Sequence, residues 1–219
     1  MSNSDFKNAL INNTMNIFNS LSFYSPIFVC TSVIILSIFT NSIIKAAIFF
    51  LWIFIITFIR ILVFKGIKSK DEVASELPSV CLTGVSEIFI PKDITYSTFI
   101  LAFSLMYFFI PMVLVTVQTK VNVINYGVLA LFIVYIMLDL FVKKSLACIP
   151  SIFSKLIISD VLGGLFLGGI IAGLIMYPSV LRPFLFINEI NSNKEVCRVP
   201  NNQQFKCKVY KNGELIGNV

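Results

Sequence analysis

Long apolar runs alternate with short polar breaks along the chain, and the length of each run says what it can do. A helix that crosses the hydrocarbon of a bilayer needs about 20 predominantly apolar residues. Five segments qualify, at about 22–40, 42–64, 94–117, 123–142 and 157–177. A sixth, "SVLRPFLFI" at about 179–187, is too short to cross and is expected at the membrane interface. The pattern therefore predicts an all-α transmembrane helical bundle of about five spans within residues 1–187, with a polar C-terminal tail at 188–219.

The tail has a different texture. "FKCKVY" alternates apolar and polar positions, and the "KNGEL" that follows contains Asn212-Gly213, a strong hairpin turn signal. Pro200-Asn201-Asn202 offers a second turn. The expectation is a short β-hairpin, with Cys197 and Cys207 near enough in sequence to staple it.

Five spans place the chain ends on opposite sides of the membrane. Lys65, Lys68, Lys70, Lys92, Lys143, Lys144 and Lys155 fall on the N-terminal side, against Lys45 and Lys120 in the short turns opposite. The positive-inside rule then makes the N-terminus cytoplasmic and puts the tail across the membrane, where its cysteines could oxidise. The first twenty residues lack the basic start, apolar middle and cleavage site of a signal peptide, so the first span is expected to act as an uncleaved anchor.

Composition strengthens the membrane reading. Hydrophobic residues make up 57% and charged ones 13%, too few to coat a soluble globule of 219 residues. A net charge of +6 would suggest nucleic acid in a soluble chain; with the basic residues in loops and tail, anionic lipid headgroups are the expected counter-ions and no nucleic acid is expected. There is no histidine, which removes His-based acid–base chemistry, His–metal sites and any phosphohistidine intermediate. The five cysteines form no Cys-x-x-Cys pair, so neither metal nor cofactor is expected, and Cys30 reads as a packing residue within a span.

Candidate chemistry collects around "ISDVLGGLFLGGIIAG", residues 158–173. Gly164 with Gly168, and Gly169 with Gly173, have the small-xxx-small spacing that lets a neighbouring helix approach closely in lipid. Asp160 at the head of this run either marks the water boundary or belongs to a paired polar site. Lys70, Lys92, Asp93, Asp160 and the Ser97 and Thr98 hydroxyls all fall on one membrane side, so a cluster of these groups is topologically allowed, and a lysine beside helix N-termini makes a fair anion site. Other charges have simpler readings. Arg60 is expected to snorkel to headgroups, Asp139 to pair with Lys143 one turn on, and Pro111 to kink the third span. On this orientation the Asn12-Asn13-Thr14 sequon faces the wrong compartment for glycosylation.

The order of these motifs resembles the membrane phosphatidic acid phosphatase type 2 superfamily, which reads K-x6-R-P, then P-S-G-H, then S-R-x5-H-x3-D before a glycine-rich helix. The resemblance covers about residues 65–175: "KDEVASELP" keeps Lys70 and Pro78, "PKDI" keeps Pro91, and "LIISDVLGG" keeps Asp160. The departures fall on the catalytic positions. Leu77 replaces an arginine, Ile94 and Leu156 stand where the two histidines should be, and Ile149-Pro150 replaces the Ser-Arg pair. In the family one histidine attacks phosphorus while the other protonates the leaving group, and the basic side chains neutralise the phosphoryl oxygens. With those groups gone, the resemblance implies a pseudoenzyme with no catalytic residues, and Lys70, Lys92 and Asp160 as a vestigial phosphate or lipid-headgroup site. The whole chain resembles degenerate members encoded by large DNA viruses. That implies a structural protein of a virion's internal membrane, its tail contacting capsid or other membrane proteins; a binder of phosphorylated lipid headgroups is the alternative.

Overall fold

The computed structural model describes residues 15–67, 81, 93–120, 122–149, 154–187, 190, 208–211 and 214–218. Six helices order its membrane part: α1 (Met15–Phe23), α2 (Ser25–Phe39), α3 (Ile43–Ile67), α4 (Tyr96–Thr119), α5 (Tyr126–Ser145) and α6 (Lys155–Met176). Four helices, α3 to α6, are long and apolar enough to cross a membrane, and α1 with α2 would make a fifth span. This is the helix content of a multi-pass membrane protein. Large apolar side chains such as Phe54, Phe141 and Phe166 point outward, as lipid contact requires.

The first span differs from expectation. The chain bends by 75° between α1 and α2, so the run drawn as one span from about 22 breaks at Tyr24. Pro26 sits in the first turn of α2, where its missing N–H costs nothing and its fixed φ suits a helix start. With 15 residues α2 rises about 22 Å, short of the roughly 30 Å of a hydrocarbon core.

The bundle is organised around α4. Nearly every side chain from Tyr96 to Phe108 is buried, and Ile100 to Phe103 are wholly inaccessible. A helix apolar on all sides belongs in the middle of a bundle. Pro111 does not end it: α4 runs on to Thr119 with Pro111 inside. Phe49 of α3 packs on Tyr107 and Phe108 of α4 with ring centroids 5.2 Å apart in both cases.

The closest helix pair is α4 with α6. A Cβ on Gly164 would collide with the Phe99 carbonyl oxygen, and one on Gly168 with that of Phe103. The two contacts are four residues apart on both helices and run in the same order, so α4 and α6 are parallel and touch backbone to backbone. Gly169 and Gly173 lie off this seam: a Cβ on Gly169 would meet only Ile110, at 3.8 Å, and one on Gly173 nothing within 4 Å.

The 179–187 stretch also departs from a purely interfacial position. Arg182 Nε donates to the Met176 carbonyl at 2.9 Å, satisfying one of the free carbonyls at the end of α6. The chain then turns back, and Leu185 and Phe186 bury themselves in the main core, Phe186 against Phe108. Asn125, which caps α5 by accepting from Gly127 and Val128, donates through Nδ2 to the Ile190 carbonyl at 2.7 Å.

Candidate functional site: two buried ion-pair clusters

Helices that alternate in direction bring the end of α3, the start of α4, the end of α5 and the start of α6 to one end of the bundle. Two polar clusters form there. In the first, Arg60 of α3 forks onto Asp93, with Nε 2.6 Å from Oδ2 and Nη2 3.1 Å from Oδ1. Its Nη1 and Nη2 also donate to the two carboxylate oxygens of Asp160 on α6, at 3.0 and 3.2 Å. Thr95 Oγ1 accepts from Nη2 and donates to Asp93 Oδ1, whose other local donor is the Thr95 backbone N–H. The guanidinium carbon lies 4.5 Å from the Phe99 ring centroid, a cation–π contact. Asp93 is 1% exposed, Arg60 11% and Asp160 17%, so the group is nearly closed to solvent.

The second cluster lies among α1, α4 and α5. Lys143 Nζ donates to Ser97 Oγ (2.5 Å), Thr98 Oγ1 (2.8 Å) and Asp139 Oδ2 (2.7 Å). Those contacts use all three of its N–H donors. Asp139 also accepts from Ser22 of α1, Ser97 and Thr98. The network is fully satisfied and electrically neutral, the condition under which an ion pair survives in a core. Tyr96 and Thr57 add a hydroxyl pair at 2.9 Å between α4 and α3.

These contacts revise the sequence reading. Arg60 does not snorkel; it is the centre of an ion-pair cluster tying α3, α4 and α6. Asp160 is a paired acid rather than a water-boundary marker. The cluster drawn from one membrane side divides in two: Asp93 and Asp160 go to Arg60, whereas Ser97 and Thr98 go to Asp139 and Lys143. Asp139 and Lys143 do pair one turn apart, and the pair lies in the interior. Lys70 and Lys92 lie outside the described residues, as do Cys197 and Cys207.

A disulfide that no motif announced joins Cys81 to Cys148 at this same end. Phe23 is buried with it, and Ile94, the neighbour of Asp93, packs on it with Leu146. No group of three or more metal-ligating side chains occurs among the described residues.

The signal for Arg60 was available in the sequence. An arginine within a span needs a partner, and the acids at the same ends of the other spans are Asp93, Asp139 and Asp160. Chemically, the arrangement holds helices together. Both edges of the guanidinium already face carboxylates, so Arg60 is not free to receive a phosphate. The chain matches no protein-family model, no curated protein and no solved structure.

Proposed function

We propose that the chain is a non-catalytic, structural multi-pass membrane protein. The observation that carries this reading is the engagement of Asp160, the acid that the phosphatase resemblance would place at a reaction centre. It faces Arg60, and Arg60 also carries Asp93, so the cluster has two carboxylates for one described cation. Among the described residues the cluster is net negative, a charge that repels a phosphoryl group rather than drawing one in. The absence of histidine from the whole sequence supports the same reading, because the family chemistry has no nucleophile or proton donor here.

On the resemblance alone, the membrane is the internal membrane of a large-DNA-virus virion, and the partner is capsid or another membrane protein. The tail at 188–219 is the contact element in this proposal. Backbone pairing of Lys208–Lys211 with Glu214–Asn218, in which Lys211 faces Glu214 across Asn212-Gly213, supports reading it as a hairpin. Binding of a phosphorylated lipid headgroup through Lys70 and Lys92 is the weaker reading, since Asp93 directly follows Lys92 and lies in the negative cluster.

The test is turnover of phosphatidic acid and of a generic phosphomonoester by the folded, detergent-solubilised protein, beside an active histidine-containing phosphatase and a Lys70→Ala variant. Release of phosphate no faster than background is expected. Turnover lost in the Lys70→Ala variant would overturn the proposal. Deleting 190–219 should abolish cross-linking to the capsid partner while leaving membrane insertion intact.

A further inference from the structure

Cys81 belongs to the connection between α3 and α4, and Cys148 follows α5, 67 positions later. Their disulfide ties both connections at the end of the bundle that holds the two ion-pair clusters. Both residues are buried, at 1% and 3% exposure, so the bond is part of the packing rather than a surface adornment. Disulfides persist in oxidising compartments, whereas glutathione and thioredoxin keep cytosolic thiols reduced.

We infer that this end of the bundle, and the N-terminus with it, faces an oxidising, non-cytosolic compartment, and that the 188–219 tail is cytosolic. This reverses the orientation that the basic residues favour. The two signals differ in strength. Eight lysines, Lys7, Lys65, Lys68, Lys70, Lys92, Lys143, Lys144 and Lys155, stand on the disulfide side; Lys45, Lys120, Arg182 and Lys194 stand within reach of the span ends opposite. Eight against four is a two-to-one bias, and such biases are overridden when other segments dominate insertion. Lys143, moreover, is neutralised by Asp139 inside the bundle.

Formation of the bond balances as a thiol–disulfide exchange. One of the two thiolates attacks the disulfide of a thiol–disulfide oxidoreductase, and the other then resolves the mixed disulfide. The carrier leaves as a dithiol, having taken the two electrons and, at equilibrium, the two protons. The same orientation leaves Cys197 and Cys207 as thiols in the cytosolic tail, so the hairpin proposed there rests on its Asn-Gly turn.

Glycosylation acceptors appended separately to the N- and C-termini, with translation into endoplasmic-reticulum microsomes, test the orientation. Counting thiols in the denatured protein with a maleimide-polyethylene glycol, before and after reduction, tests the bond. The expected result is a glycan on the N-terminal extension only, with three reactive thiols before reduction and five after, since the sequence has five cysteines. A glycan on the C-terminal extension alone would overturn the inference even with the disulfide present, and would assign the bond to an oxidase acting on the cytosolic face. Five thiols before reduction would overturn it as well.

Discussion

Lys143 and Asp139, one turn apart on α5, form an ion pair of 2.7 Å in which neither side chain is exposed at all. Hydroxyls from Ser22, Ser97 and Thr98 complete the shell, so the pair joins α1, α4 and α5 at one point. Taking two charges out of water is costly, and only their mutual attraction and the hydroxyls offset that cost. Removing one partner is therefore worse than removing both. Lys143→Met alone, or Asp139→Leu alone, should destabilise the bundle by about 3–5 kcal/mol, whereas the double variant should recover most of that loss. Thermal unfolding in detergent of the four proteins measures the coupling; additive losses would show that the pair does not act as a unit.

Arg60 tests the other cluster by a different route. Its planar fork meets Asp93 through two nitrogens while reaching Asp160, a geometry that a lysine ammonium cannot copy. Arg60→Lys should keep the charge and lose the fork, lowering stability by about 1–3 kcal/mol. Arg60→Leu leaves two carboxylates without a described cation and should cost about 3–5 kcal/mol. Adding Asp160→Asn to Arg60→Leu should restore part of the loss. A melt in which Arg60→Lys equals the parent would place the arginine's contribution in charge alone.

The glycines make the sharpest steric contrast. Gly164 and Gly168 lie where backbone atoms of α4 already occupy the space of a side chain, so Gly168→Leu must push α4 and α6 apart. Overpacking of a core costs about 1–3 kcal/mol even where some relaxation occurs, and here the obstacle is backbone. Gly173 faces open space on a helix, and Gly173→Ala should raise stability by up to about 1 kcal/mol through helix propensity. Retention of the folded, monodisperse species after solubilisation separates the two; equal behaviour would contradict the parallel seam.

How far the sequence discloses this arrangement depends on the range of the interaction. The four long spans and their rough positions were readable, because apolar length is a local property and bilayer thickness sets its threshold. The break at Tyr24 was not, since it goes with contacts to distant residues at the end of α1: Ser22 on Asp139, the Leu21 carbonyl on Tyr135 and Phe23 beside the disulfide. The four-residue spacing of the glycines was visible, but not which pair meets α4: Gly164/Gly168 and Gly169/Gly173 have the same pattern and differ in which helix face they occupy. Arg60 was misread for the same reason. Snorkelling is a one-helix explanation, and its true partners lie 33 and 100 positions away. The Cys81–Cys148 bond likewise joins residues with no shared motif, so only the fold brings them together.

That bond has its own consequence for stability. Closing a loop of 67 positions removes conformational freedom from the unfolded chain, which the chain-entropy relation puts at about 4 kcal/mol. A reductant should therefore lower the unfolding temperature of the purified protein, and Cys81→Ser should start from that lower value and no longer respond to reductant. Cys148→Ser should behave as Cys81→Ser does, because each removes the same cross-link. Cys30→Ala provides the control, since Cys30 is a free thiol and its variant should keep the full response to reductant. The effect should also reach the neighbouring cluster: Ile94 packs on the disulfide and Asp93 precedes it, so reduction loosens one anchor of the Arg60 site. Faster hydrogen exchange at the start of α4 than at its middle, on reduction, is the expected signature; uniform exchange along α4 would mean that the staple and the ion-pair cluster are mechanically independent.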